Sequence, residues 1–213
     1  VGPNETALPG PDQLDIAILA SVAEIRCRWS SFGDVDADLS ALLLRGRQVR
    51  TDDDFIFYNQ AESVDGSVKY LGKRHAGDGF EDRIAINLAD VAAAADIDAI
   101  AVVLSVDSGH RLVELGAVTA TILDAGGTSL ATFTMIDLTV ETAAVAFEIY
   151  RRGGWKARAV GQGYHDGLAG LARDFGVTVD DESPSTPNPT DPSQTPTPAV
   201  DWNNPPVPAG YEI

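Results

Sequence analysis

Asp54-Phe55-Ile56-Phe57-Tyr58-Asn59-Gln60 opens the stretch that decides the fold. It leads into a turn at Val64-Asp65-Gly66-Ser67 and then into Gly77-Asp78-Gly79-Phe80-Glu81-Asp82. The first segment is β-rich, the second is turn chemistry, and the third is an acidic, glycine-rich segment that reads as a loop. Hard cations want several oxygen ligands on a sharply turning backbone, and carboxylates spaced by glycines supply them. Cation binding therefore stands ahead of catalysis as a first expectation.

Working outward, short strands recur. Glu24 to Trp29 alternates polar and apolar residues, and so does Arg83 to Leu88, the period of a half-buried strand. Ala41 to Leu44 and Ala99 to Val106 are apolar runs bounded by turn residues. Ala117 to Leu123 and Leu130 to Ile136 flank Gly126-Gly127, while Ala146 to Tyr150 and Trp155 to Ala159 flank Gly153-Gly154. Both are hairpin signals. Two segments look helical: Leu88 to Ala95, and Asp166 to Phe175, where Leu168, Leu171, Ala172 and Phe175 share a face before a stop at Gly176. The sum predicts an all-β fold: a two-sheet antiparallel β-sandwich with a short C-terminal helix.

The chain has 213 residues, enough for one domain with tails. Residues 1–19 read as a flexible lead-in, 20–180 as the sandwich, and 181–213 as a disordered, acidic, Pro-rich tail. Nine of the twelve prolines lie in that tail among Ser, Thr, Asn and Asp. Such a segment cannot bury enough apolar surface to offset its ordering entropy. Its Trp202 beside Pro205-Pro206 suggests either a docking motif or a mobile end with an incidental aromatic.

The formal net charge is −17, and nine of those excess charges fall in residues 1–20 and 180–213, which carry no base. So acidic a chain repels phosphate backbones and anionic membranes, so neither nucleic acid nor membrane insertion is expected. Cations and basic protein surfaces are the natural partners. The single cysteine, Cys27, forbids an internal disulfide and sits at an inward position of its strand. No signal peptide or membrane-length apolar run is visible, which makes the cytoplasm the expected compartment.

Asp34, Asp36 and Asp38 fall at every second residue, one face of an extended chain. Like charges ~4 Å apart cost ~4 kcal/mol per pair at an intermediate dielectric, so this face wants a cation or water. An EF-hand is excluded, because Leu39 stands where its glycine would and Arg45 where its glutamate would. Asp78, Glu81 and Asp82 suit a cation equally, but Lys73 and Arg74 lie close enough to pair with them instead. Asp107 ends a buried strand and suits either a cation or an Asx turn with Ser108-Gly109. Asp52 and Asp53 fit a solvated turn.

Catalytic signatures are missing. Gly161-Gln162-Gly163 lacks the third glycine of a dinucleotide fingerprint, with Asp166 at that place, and reads as a turn between the last strand and the helix. His75, His110 and His165 are scattered without zinc spacing, and no Gly-x-Ser-x-Gly occurs. Trp29 and Trp155 read as core or rim aromatics.

Four segments resemble the TerD family of tellurium-resistance and stress-response domains. They are Phe32-Gly33-Asp34-Val35-Asp36-Ala37-Asp38-Leu39, Asp54 to Gln60, Ser63-Val64-Asp65-Gly66-Ser67-Val68, and Gly154 to Tyr164 followed by Gly167-Leu168 and a helix. The resemblance covers roughly residues 20–178 in one order and spacing. It implies a calcium-binding sandwich without catalytic machinery, acting in stress response and presenting a cation-dependent surface to protein partners. The family's Gly-Asp-Asn and Gly-Asp-Gly-Asp-Asp-Glu loop reads Gly72-Lys73-Arg74-His75-Ala76-Gly77-Asp78-Gly79-Phe80-Glu81-Asp82 here. Oxygen ligands are lost and two cations gained. Calcium takes ~6–8 oxygens, so one ion is expected rather than two, held by Asp34, Asp36, Asp78, Glu81 and Asp82 with Asp107 in reach. The alternative is a metal-free interaction module in which Lys73 and Arg74 replace the ion and the tail recruits a partner.

Overall fold

The computed structural model describes residues 5–7 (backbone only), 15–30, 35–94 and 96–178, so the tail and Asp34 lie outside the described residues. In chain order the strands are β1 (Glu5–Ala7), β2 (Ile16–Ile18), β3 (Val22–Trp29), β4 (Ala37–Leu44), β5 (Phe55–Ile56), β6 (Val68–Tyr70), β7 (Arg74–Ala76) and β8 (Gly79–Asn87). Helix α1 (Leu88–Ala93) precedes β9 (Ala99–Val106), β10 (Val118–Asp124), β11 (Ser129–Met135), β12 (Ala143–Arg151), β13 (Trp155–Tyr164) and helix α2 (Gly167–Asp174).

These strands form the expected two-sheet antiparallel sandwich. The first sheet runs β1-β13-β12-β9-β4-β5, with β2 also on β13; the second runs β11-β10-β3-β8-β6, with β7 also on β8. Alternation explains the second sheet. In β3, Ala23, Ile25, Cys27 and Trp29 are buried between the sheets while Arg26 and Arg28 face out. In β8, Ile84 and Ile86 take the inward phase.

The first sheet is covered on both sides, which is why its central strands read as unbroken apolar runs. Leu39, Ala41 and Leu43 of β4 face the second sheet, whereas Leu42 and Leu44 face a second apolar layer with Phe55, Val103, Tyr164 and Leu171. Helix α2 closes that layer. It ends in a Schellman motif, with Val177 N–H bonding the Ala172 carbonyl at 2.8 Å and Gly176 N–H that of Arg173 at 3.1 Å. Val177 then packs into the same layer.

Three expectations are corrected. The flexible lead-in contributes strands, because Glu5–Ala7 and Ile16–Ile18 both pair with the edge of β13. Gly161-Gln162-Gly163 is no turn but the continuation of β13, opposite Ala144 and Val145. A bulge between Val145 and Phe147 needs a left-handed residue on the facing strand, and Gly161 supplies it at φ 61°. The acidic glycine-rich segment is a hairpin, with β7 paired to β8 through a tight turn at Gly77-Asp78. Gly79 is required there by close approach: a Cβ would stand 2.0 Å from the Trp29 carbonyl oxygen.

Candidate functional site

The hairpin converts a sequence cluster into a two-sided arrangement. Glu81 and Asp82 are consecutive residues of β8, so their side chains leave opposite faces of the sheet. Glu81 faces out but is nearly buried, because Arg74 and Arg28 flank it on the neighbouring strands. Arg74 donates to Glu81 Oε1 at 2.9 and 2.7 Å, and Arg28 Nε lies 3.6 Å from Oε2. Asp78 sits at the exposed hairpin tip.

Asp82 points inward, in phase with Ile84 and Ile86, and is fully buried. Its Oδ2 accepts from the Leu39 N–H of the opposite sheet at 2.8 Å and from the Tyr70 hydroxyl at 3.2 Å. Its Oδ1 accepts from the Arg83 N–H at 2.8 Å. Burial pushes the Asp82 carboxyl up to about 6, against the stabilising pull of the Leu39 N–H and of Lys73. Burial likewise drives the Tyr70 phenol above its ordinary range, with Asp82 adding to it.

Lys73 lies between Asp36 and Asp38. Its Nζ is 2.5 Å from Asp36 Oδ2 and 3.0 Å from Asp38 Oδ1, and 5.9 Å from the centroid of the Trp29 ring. Burial would lower the lysine pKa, but Asp38 and Asp36 together hold it above its usual value. Asp38 is raised all the same, chiefly by burial, with Asp36 and Asp107 adding like charge against Lys73. One ammonium therefore bridges the Asp36 and Asp38 carboxylates.

Asp107 belongs to a different surface. With Asp38, Ser40, Tyr58, Ser105 and Leu168 it lines a cleft of ≈ 260 Å³ on the outer face of the first sheet, beside the start of α2. Asp107 is exposed, and its carbonyl accepts from the His110 N–H at 3.2 Å in a turn. The cleft brings Asp38 and Asp107 together and leaves Asp78, Glu81 and Asp82 elsewhere. Asp65, in the turn the sequence marks at Val64 to Ser67, is an organiser. Burial raises its carboxyl, but hydrogen bonds from the Ser67 side chain and backbone, and from Ser63, outweigh that and lower it.

The described residues, which leave out Asp34, do not assemble a calcium cage. Among the described residues no three His, Cys, Asp or Glu side chains converge as a metal site. Both Asp82 oxygens already accept protein hydrogen bonds, Glu81 is on the other face, and an ammonium stands on Asp36 and Asp38. Sequence reasoning missed Tyr70, Ser40 and Tyr58. Tyr70 meets Asp82 only through strand register, and nothing in the spacing signals the cleft. It also missed the pairing of buried Asp54 with Arg50, at 2.7 and 2.9 Å, which fixes the entry to β5. Cys27 is wholly buried, and burial raises its thiol above the ordinary value, as its inward position predicts.

A two-sheet sandwich whose acidic end is held by its own basic side chains defines the structural class. The sequence matches the TerD domain over residues 17–175, and the chain belongs to the TerD family. It is 38% identical over 154 residues to tellurium resistance protein TerD of Serratia marcescens, covering 68% of this chain and 80% of that one. It is 36% identical over 156 residues to general stress protein 16U of Bacillus subtilis (strain 168), with the same coverage. A solved homologue of telluride resistance protein (TerD) from Streptomyces coelicolor shares the fold. Its TM-score is 0.57 at 16% identity, over 72% of this chain and 95% of that one. A second solved structure, of a protein of unknown function, gives a TM-score of 0.60 at 19% identity, over 75% and 99% of the chains. Among the described residues no helix is long and apolar enough to cross a membrane.

Proposed function

We propose that this chain is a non-enzymatic stress-response domain of the bacterial cytoplasm, related to tellurium resistance, whose acidic end is locked by Lys73 and Arg74 instead of a metal ion. The observation that carries this is the Lys73 ammonium at 2.5 and 3.0 Å from Asp36 and Asp38. Arg74 does the same for Glu81. A fixed ammonium neutralises clustered carboxylates without depending on ion concentration, so the surface stays ordered when calcium is scarce. The acidic, Pro-rich residues 181–213 then serve to recruit a protein partner with a basic surface.

The experiment is calorimetric titration of the chelator-stripped protein with calcium, with magnesium as control. No saturable heat is the expected outcome. A second role, binding one calcium ion at the acidic end, would require Lys73 to leave Asp36 and Asp38 first. Saturable calcium heat with a stoichiometry near one would select that role over the first.

A further inference from the structure

The cleft on the outer face of the first sheet shares only Asp38 with the locked acidic end. Asp38, Asp107, His165 and Asp166 line it; no Lys or Arg does, although Lys73 pairs with Asp38 and Arg173 lies 3.9 Å from Asp166. Its floor carries an independent sign of a missing partner. Ser40 shares the outward phase of β4 with Asp38 and is 2% exposed, and its hydroxyl makes no hydrogen bond among the described residues. A buried hydroxyl without a partner is destabilising by itself. A polar atom retained under a cleft is therefore placed to meet something that enters it.

The walls say what kind of group that is. Tyr58 contributes an aromatic side chain, and burial together with Asp38 and Asp107 pushes its phenol above the ordinary range, so it stays neutral in their field. Leu168 and Phe57 give the cleft an apolar side. Carboxylates, a hydroxyl acceptor and an aromatic ring are what an ammonium or guanidinium head recognises, and an apolar wall suits a short alkyl stem. A bare metal ion fits poorly. It needs several converging oxygens, which the described residues do not offer, and it leaves most of ≈ 260 Å³ unfilled.

We propose that this cleft binds a small free organic cation, an alkyl ammonium or guanidinium compound, with its charged head on Asp107 and Ser40 Oγ and its stem along Leu168.

The test is isothermal titration of the full chain with agmatine at low salt, with pentane-1,5-diol as the neutral probe. Agmatine is expected to saturate one site and the diol to give no heat. Ser40→Ala and Asp107→Asn are each expected to weaken agmatine by about tenfold, the loss of one charge-assisted contact. Ser40→Ala should keep or raise the melting temperature, because it removes an unsatisfied hydroxyl. A merely structural serine would instead lower the melting temperature and leave binding alone. Glu62→Gln, the same change of charge away from the cleft, should bind agmatine as the parent does. The proposal fails if agmatine does not saturate. It fails if both cleft variants bind like the parent, which would mean adsorption to an acidic surface. It fails also if calcium saturates the cleft and agmatine does not.

Discussion

Replacing Lys73 by Met removes the ammonium while keeping an apolar stem against Trp29. The lysine side chain is 19% exposed, and Asp36 and Asp38 are 35% and 29% exposed. Exposed ion pairs are worth ~0.2–1 kcal/mol, while breaking a buried pair costs ~3–5 kcal/mol. Carboxylates about one-third exposed are partly screened by water, so the loss is expected at about 2 kcal/mol, midway between those limits. For a domain of this size that lowers the melting temperature by about 4–8 °C. The assay is differential scanning calorimetry in chelator, repeated with calcium and with magnesium. Without its lysine, the Asp36–Asp38 pair wants another cation, and an ion at ~100 times its Kd returns ~2.7 kcal/mol. Calcium should therefore rescue the variant and leave the parent unmoved. Lys69→Met, which breaks an exposed pair with Glu62, is the control and should cost under ~1 kcal/mol. A Lys73→Met protein that melts with the parent and ignores calcium would refute the internal-cation reasoning, as would a parent that calcium already stabilises.

The Asp82 carboxyl carbon should titrate by NMR with a midpoint near 6, and a midpoint near that of free aspartate would refute its burial as the cause. Because its folded pKa lies above the unfolded value of ~3.9, the folded state binds the extra proton. Its contribution to stability is full below about pH 4 and is lost as pH rises to about 6, an order-of-magnitude effect of about 3 kcal/mol. Gly79→Ala should cost about 2 kcal/mol or more in urea unfolding, because the new Cβ meets the Trp29 backbone at 2.0 Å. A near-neutral result would show that the β3–β8 end is not tightly registered. The Cys27 thiol should resist a disulfide reagent in native buffer and react fully in denaturant, and fast native labelling would contradict its burial.

The fold was legible because its signals are periodic. Glu24 to Trp29 and Arg83 to Leu88 alternate, two glycine pairs mark hairpins, and Leu168, Leu171 and Ala172 share a helical face. The candidate site was legible only in its ingredients. Lys73 and Arg74 stood out as cations in an acidic segment, and both meet carboxylates. Whether Glu81 and Asp82 act together depends on whether they sit in a loop or a strand. The glycines at 77 and 79 suggested a loop, although Gly77 serves a two-residue turn and Gly79 a steric approach. The cleft was invisible because Ser40, Tyr58, Asp107 and Leu168 come from separate elements that only the sheet order brings together. Gly161 misled for a related reason: a bulge glycine and a turn glycine look alike until the facing strand is known.

The two short N-terminal strands carry a consequence for how the protein behaves in a crowd. An open sheet edge is a template on which a stranger's strand can add. β13 is ten residues long and forms the rim of the first sheet, but β2 covers Trp155 to Ala157 and β1 covers Gln162 to Tyr164. Only the stretch around the Gly161 kink lies between them, where a distorted backbone offers poor registry to an incoming chain. The opening residues thus act as a selvedge that keeps copies of the sheet from growing into one another, and trimming them bares that rim and also takes Ile18 out of the core.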